Sequence, residues 1–215
     1  MFRYLVALCF LVFLFSCKYQ RVHKNAFLVD THNDVLSSIT LGGLNIEDNL
    51  KGKSHSDLRR LKKGGVDLQV FSIFCDETYG KGTAYKRAIR EIDSITAIAN
   101  RNPSKIRLVL NNKDIRKDAD YIQALLGVEG GHMIEDDLSK IDTFYNRGVR
   151  YMTLTWNNSN SWATSAKDET SKLLADRKYG LTDFGEQVVK KMNQLGMIVD
   201  VSHVGEHTFW DVIRL

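Results

Sequence analysis

The side chains best suited to chemistry in this sequence are two imidazoles and two carboxylates: His32, Asp34, Glu129 and His203. In Asp30-Thr31-His32-Asn33-Asp34 the histidine and the second aspartate stand two apart, so on extended backbone both side chains point to one face. One imidazole and one carboxylate so placed can grip one cation. Donors of this kind suit zinc, bound at about 2.0 to 2.2 Å with one position left to water in a catalytic site. Taken alone, such a pair is more often a solvated loop or a capped turn. Glu129, in Gly127-Val128-Glu129-Gly130-Gly131-His132, closes an apolar run and precedes glycines that let the backbone turn sharply. Its two oxygens can bridge two ions, and two metals about 3.5 to 4 Å apart would clamp a hydroxide and lower its pKa, giving a nucleophile without serine or cysteine. The other reading of Glu129 is an acid at a helix start, stabilised by the dipole. His203, in Val199-Asp200-Val201-Ser202-His203-Val204, again closes a β-branched run and suits a ligand of the second ion. A lone histidine at a strand end is more often a core or loop residue. The candidate ligands are therefore His32, Asp34, Glu129 and His203, with Glu129 and Asp34 the candidate catalytic carboxylates.

These groups meet only if a scaffold gathers them. Short β-rich runs at Ala26 to Thr31, Val66 to Phe74, Ile106 to Leu110, Tyr121 to Val128, Val149 to Thr155 and Met197 to Val201 alternate with helical stretches such as Thr83 to Asn100 and Thr182 to Leu195. That alternation predicts an α/β protein with a parallel sheet. Phe184, Val188, Val189, Met192 and Leu195 build one apolar face, and Thr182 or Asp183 caps the start of that helix. His32, Asp34, Glu129 and His203 all lie at or just beyond the C-terminal end of a predicted strand. In a parallel β/α barrel this is the end where catalytic groups collect.

Other features bound the function. The chain has 215 residues, 43% hydrophobic and 26% charged, enough for one sizeable core. Its 30 basic and 26 acidic residues are scattered along the sequence without the Lys/Arg stripe that nucleic acid demands. Met1-Phe2-Arg3 followed by the apolar run Tyr4 to Phe15 reads as a signal peptide over residues 1–16, and Leu14-Phe15-Ser16-Cys17 resembles a bacterial lipobox. Cys17 is then the lipidation site, 17–25 a tether, and 26–215 the folded portion, held by its lipid anchor at a membrane surface of the bacterial cell envelope. An uncleaved membrane anchor is the alternative. Cys75 remains as the one thiol of the folded portion, expected as a buried small hydrophobe.

Phe27 to Asp34, Gly127 to His132, Gly148 to Thr155, Gly180 to Gly185 and Asp200 to Val204 together resemble the membrane (renal) dipeptidase family of the amidohydrolase superfamily. The resemblance runs from about Phe27 to Leu215. It implies a (β/α)8 TIM-type barrel of which this chain carries about five of eight core strands, with Ile106 to Leu110 peripheral. It further implies two zinc ions and hydrolysis of dipeptides by a bridging hydroxide. His32 and Asp34 would hold the first ion, Glu129 would bridge, and His203 would bind the second.

Two departures qualify the transfer. Trp156 stands where well-known members carry a substrate-contacting histidine, and an indole cannot replace an imidazole that both donates and titrates. Trp156, with Trp162, then either walls a substrate-binding pocket or packs ordinarily. The chain also stops inside an expected helix, before the family's remaining ligands, so the fragment is expected to bind metal poorly and not to turn over. The competing readings are an envelope scaffold without catalysis and an amidohydrolase acting on other amides. His132 reads either as a residue that orients Glu129 or as a loop histidine. His55 reads as a surface residue, His207 as pointing away from the mouth, and Glu135-Asp136-Asp137 as solvated acids at a helix start.

Overall fold

In the computed structural model, which describes residues 19, 21–171 and 178–215, the strands are β1 (Leu28–Asp30), β2 (Val66–Phe74), β3 (Ile106–Leu108), β4 (Ile122–Glu129), β5 (Val149–Thr153) and β6 (Ile198–Asp200). The helices are α1 (Val35–Gly42), α2 (Leu58–Lys63), α3 (Ala84–Arg101), α4 (Ser139–Asn146), α5 (Ala166–Thr170), α6 (Asp183–Leu195) and α7 (Glu206–Ile213). Residues 1–18, which hold the expected signal peptide and Cys17, lie outside the described residues. Among the described residues no helix is long and apolar enough to cross a membrane.

Every ladder in the sheet is parallel, in the order β1-β2-β4-β5-β6. β3 pairs only with the start of β4, through Ile106 and Ile122, and so sits off the main path as the sequence suggested. The result is the five-stranded front of a TIM-type barrel, a curled parallel half-barrel.

The period-2 alternation of the strands sorts their side chains between two cores. Phe71 and Ile73 of β2, Ala124, Leu126 and Val128 of β4, and Met152 of β5 pack outward against Ile92 and Ile95 of α3 and Val188 and Met192 of α6. Leu68, Val70 and Tyr151 face the concave interior with Val109. Full burial of a side chain such as Phe71 or Ile73 stabilises by roughly 1.5–3 kcal/mol, so the helix-covered face carries most of the stability. α6 is delimited as its sequence implied: Thr182 Oγ1 accepts the Gly185 N–H at 3.3 Å, and Gly196 closes the helix at φ +69°.

Gln123, fully buried at the start of β4, ties the β3–β4 connection to the N-terminal end of the sheet. Its amide donates to the carbonyls of Asp67 at 3.2 Å and Arg116 at 2.9 Å, and its oxygen accepts the Arg116 N–H at 2.6 Å. The opposite, C-terminal end is left open.

Candidate metal centre

The sequence around His32 works because Asn33 is turned into the scaffold. Its side-chain amide donates to Ser56 Oγ and Gln69 Oε1, both at 3.2 Å, its Oδ1 accepts the Val35 N–H at 3.0 Å, and its carbonyl accepts the Ser72 N–H at 3.0 Å. With the middle residue pinned, His32 and Asp34 are sent together to the mouth. Asp34 occupies the N-cap position of α1 but makes no side-chain capping bond, so its carboxylate is free to face His32. The capped-turn alternative therefore does not describe Asp34.

Glu129 ends β4 in a cross-strand row with Phe74 of β2 and Thr153 of β5. The turn after it needs glycines. Gly130 sits at φ +109°, and a Cβ on Gly131 would lie 2.4 Å from the Trp162 ring and 2.5 Å from the Leu154 carbonyl. Glu129 is 6% exposed and accepts from Ser72 Oγ at 3.3 Å.

The four candidates converge. His32 Nε2 lies 3.2 Å from Asp34 Oδ1 and 3.2 Å from Glu129 Oε2, and His203 Nε2 lies 3.1 Å from Glu129 Oε1. Donor atoms around a tetrahedral zinc at about 2.1 Å are about 3.4 Å apart by simple geometry. The observed spacings match that edge length, and Glu129 faces each histidine with a different oxygen. His32, Asp34 and Glu129 each direct one donor atom into a group within 4.8 Å of one another. The donor set and spacing fit a metal centre in which Glu129 is shared.

The electrostatics agree. The hydrogen bond to Asp34, then that to Glu129, pushes the His32 imidazole up to about 10 against the opposing effect of burial. The same contact holds Asp34 below the usual carboxylate range. Two carboxylates on one imidazole nitrogen thus call for a positive charge, which a proton supplies when no cation does.

His203 is placed by residues that sequence reasoning did not single out. Asp200 Oδ1 accepts from Ser202 N at 3.0 Å and Ser202 Oγ at 2.7 Å, an Asx-type turn that delivers His203 at φ +64°. Thr153 Oγ1 donates to Asp200 Oδ2 at 2.5 Å, linking this turn to the row that contains Glu129. The signal was present in Asp200-Val201-Ser202, an aspartate two residues before a serine. Tyr151 was also missed. Its ring lies over Gly127, where a Cβ would sit 1.8 Å from Cε1, and burial followed by the carboxylates of Asp200, Glu129 and Asp34 raises its phenol. Together these groups line a cavity of about 770 Å³ with an apolar floor of Phe27, Leu68, Val70 and Leu125 and a polar rim of His32, Glu129, Asp200 and His203.

The remaining candidates fall elsewhere. Trp156 packs edge-on against Phe74, centroids 5.0 Å apart, and does not line this cavity, while Trp162 is buried in the helix-side core. His132 contacts the Cys75 carbonyl at 3.0 Å instead of Glu129, and burial lowers its pKa. Cys75 is buried, its thiol pushed up to about 12. His207 pairs with Glu169 at 2.8 Å, away from the mouth. Glu135 and Asp136 adopt left-handed backbone and pair with Lys140 and Lys81, so only Asp137 serves the start of α4, accepting the Ser139 N–H. His55 is exposed and borders the groove along His32 and Asp34.

A parallel α/β half-barrel with carboxylates and imidazoles gathered at its strand C-termini is the front of a barrel protein with a metal-type centre. The chain belongs to the membrane dipeptidase family (peptidase family M19), whose sequence model matches residues 17–215. It is 35% identical over 185 residues to dipeptidase 3 of Mus musculus, covering 83% of this chain and 36% of that protein. It is 32% identical over 221 residues to an uncharacterized dipeptidase of Schizosaccharomyces pombe, covering 91% of this chain and 51% of that one. The chain thus spans about half or less of the length of these relatives. In fold it is similar to the M19 metallo peptidase called dipeptidase AC, with TM-score 0.77 and 21% identity over 89% of this chain and 61% of that one. A metallo peptidase of Rhodobacter sphaeroides, solved with a phosphinate mimic of L-Ala-D-Ala, is similar with TM-score 0.73 and 20% identity over 87% of this chain and 62% of that one.

Proposed function

We propose that this chain supplies the front of a zinc-dependent dipeptidase active site. The observation that carries the reading is the convergence of His32 Nε2 on Asp34 and Glu129 while His203 Nε2 meets the second oxygen of Glu129. His32 and Asp34 hold the first ion, Glu129 is shared, and His203 serves the second. Bound in this way, the ions supply Lewis acidity and a water acidified toward neutral pH. Glu129, buried and steadied by Ser72, keeps its oxygens aimed at both positions. Asp34, held below the usual carboxylate range by His32, stays ionised beside the first position, where it would serve as a ligand. The polar rim of His32, Glu129, Asp200 and His203 lies at the strand C-termini, where a dipeptide would meet the ions, and the family membership supports that substrate class.

Only Glu129 and His203 reach the second position among the described residues, one short of the three protein ligands usual for catalytic zinc. The 215-residue chain alone should therefore hold the second ion weakly and turn over little. The test is release of amino acids from alanyl dipeptides by a form whose barrel is completed with the C-terminal segment of a family relative, with zinc and with chelator. Zinc-dependent release that Glu129→Gln lowers at least about 100-fold is expected. Equal release by both forms would reject the assignment. The competing reading, an amidohydrolase acting on other amides through the same ligands, predicts preferential release from amides other than dipeptides when both are offered in this assay. We also infer that Cys17 carries the lipid anchor, on the strength of Leu14-Phe15-Ser16-Cys17, and acyl-chain mass on the Cys17 peptide tests it.

A further inference from the structure

We propose that the N-terminal end of the barrel, opposite the metal mouth, is a cationic surface that lies against an anionic lipid bilayer. This rests on the anchor reading for the nearness of a membrane and adds which end faces it.

The first observation is where the tether enters. His23 Nε2 lies 2.9 Å from the Gly64 carbonyl, and a Cβ on Gly65 would meet the same imidazole at 3.3 Å. Gly65 precedes the first residue of β2, so residues 21–25 lie at the N-terminal end of the strands. Tyr19 and Val22 on this stretch are 72% and 62% exposed, apolar groups suited to the interfacial layer.

The second observation is charge. Arg21 and Lys24 come with the tether, and Lys62 Nζ donates to the Ala119 carbonyl at 3.1 Å. Ala119 shares an open cleft of about 570 Å³ with Arg107 and Arg116, beside a cavity of about 230 Å³ where Lys113 joins those two arginines. Lys113 and Arg116 have no side-chain hydrogen bond or ion pair among the described residues, whereas Arg107 stacks over Tyr121 and donates to the Pro103 carbonyl. Apart from Glu47, which is held at this end by Asn102 and cancelled by its ion pair with Arg101, the carboxylates beside these cations are Asp67 and Asp114, which accept from backbone N–H groups, and Asp118 and Asp120, which line the cleft. With the exposed Lys63, Lys105 and Lys117 beside them, nine cations less four carboxylates give +5, at one end of a chain whose total is +4. These cations are scattered from residue 21 to residue 117 and only the fold collects them.

The geometry has a functional consequence. β2 spans nine residues. At about 3.3 Å per residue this is roughly 30 Å from the basic end to the mouth. With the basic end on the bilayer, the metal mouth opens into the aqueous phase, where dipeptides diffuse.

The test uses the full chain on vesicles of phosphatidylcholine alone or mixed with phosphatidylglycerol, with lysine acylation read by mass spectrometry. Lys24, Lys113 and Lys117 should be protected only on phosphatidylglycerol vesicles and become reactive again in high salt, while Lys81 and Lys167 at the mouth end stay reactive throughout. Replacing Lys113 and Arg116 by Gln, at exposed sites without partners, should lower the preference for anionic over neutral vesicles about five-fold per cation. Protection that ignores lipid charge, or that falls equally on Lys81 and Lys167, overturns the proposal. Protection by inorganic phosphate without vesicles assigns a small-anion site and overturns it as well. Flotation with pure phosphatidylcholine vesicles reads the anchor separately, so a failed anchor and a failed basic face give different results.

Discussion

Gly127 sits near the centre of the sheet, paired with Ser72 on one edge and Tyr151 on the other, so its backbone has little freedom to yield. A Cβ there would lie 1.8 Å from Tyr151 Cε1, 1.9 Å from Cζ and 2.4 Å from Cδ1. Carbon atoms pack best at about 3.5–4.0 Å, so Gly127→Ala requires the ring to retreat by at least about 1.7 Å. Tyr151 is 8% exposed and has packed neighbours on the concave side. Overpacking of a filled core typically costs about 1–3 kcal/mol, and a site pinned on both edges belongs near about 3. For a domain of this size each kcal/mol moves the melting temperature about 2–4 °C, so Gly127→Ala should melt about 6–12 °C lower. Thermal melting by circular dichroism measures this. Tyr151→Leu in the same chain should relieve the clash, making the double substitution less harmful than the sum of the singles by about 2 kcal/mol. Additive losses, or an unchanged melting temperature for Gly127→Ala, would refute the proposed steric relation between the two residues.

Metal uptake should release the proton that His32 holds in the metal-free protein, because its imidazole titrates at about 10. Zinc affinity should therefore rise with pH through the neutral range, about ten-fold per unit while His32 is protonated, and chelator competition giving a flat profile would contradict this. The same raised pKa means that protonated His32 contributes stability to the metal-free fold that is complete below the ordinary histidine range and is lost as pH rises through about 10. Thr153→Val removes the hydroxyl that holds Asp200, and should weaken the second zinc about 10- to 100-fold in a metal titration while leaving the first unchanged. Glu91 is buried, accepts the Phe74 N–H at 2.9 Å and pairs with buried Arg87 at 2.7 Å, so Glu91→Ala strands a cation and should cost about 3–5 kcal/mol by urea unfolding.

The scaffold was legible because its strands carry the near-continuous apolar runs that burial on both faces produces. The nine residues of β2, Val66–Phe74, stand as the apolar run indicated, and the other strands differ mainly by residues shed at their ends. The parallel order followed from the intervening helices. The metal candidates were legible through their place after each strand, a topological property that sequence spacing preserves. What spacing does not carry is direction. His132 follows the glycine pair at a distance that suits support of Glu129, yet the 3₁₀ turn at Gly131–Ile134 rotates it toward Cys75. Trp156 follows the Thr153-Leu154-Thr155 stretch, and its ring is drawn to Phe74 across the mouth. Asp200 and Tyr151 act through contacts with residues far away in sequence, such as Thr153 and Gly127, which no local pattern reports. The basic end was hidden for the same reason, since its cations are never neighbours along the chain.

The most direct test of the account is anomalous X-ray scattering at the zinc edge from crystals of this chain grown with zinc. The account predicts a peak within about 2.0–2.2 Å of His32 Nε2 and of oxygens from Asp34 and Glu129, with a weaker second peak near His203 and the other oxygen of Glu129. Zinc absent from that mouth, or seated instead between His207 and Glu169, would contradict it.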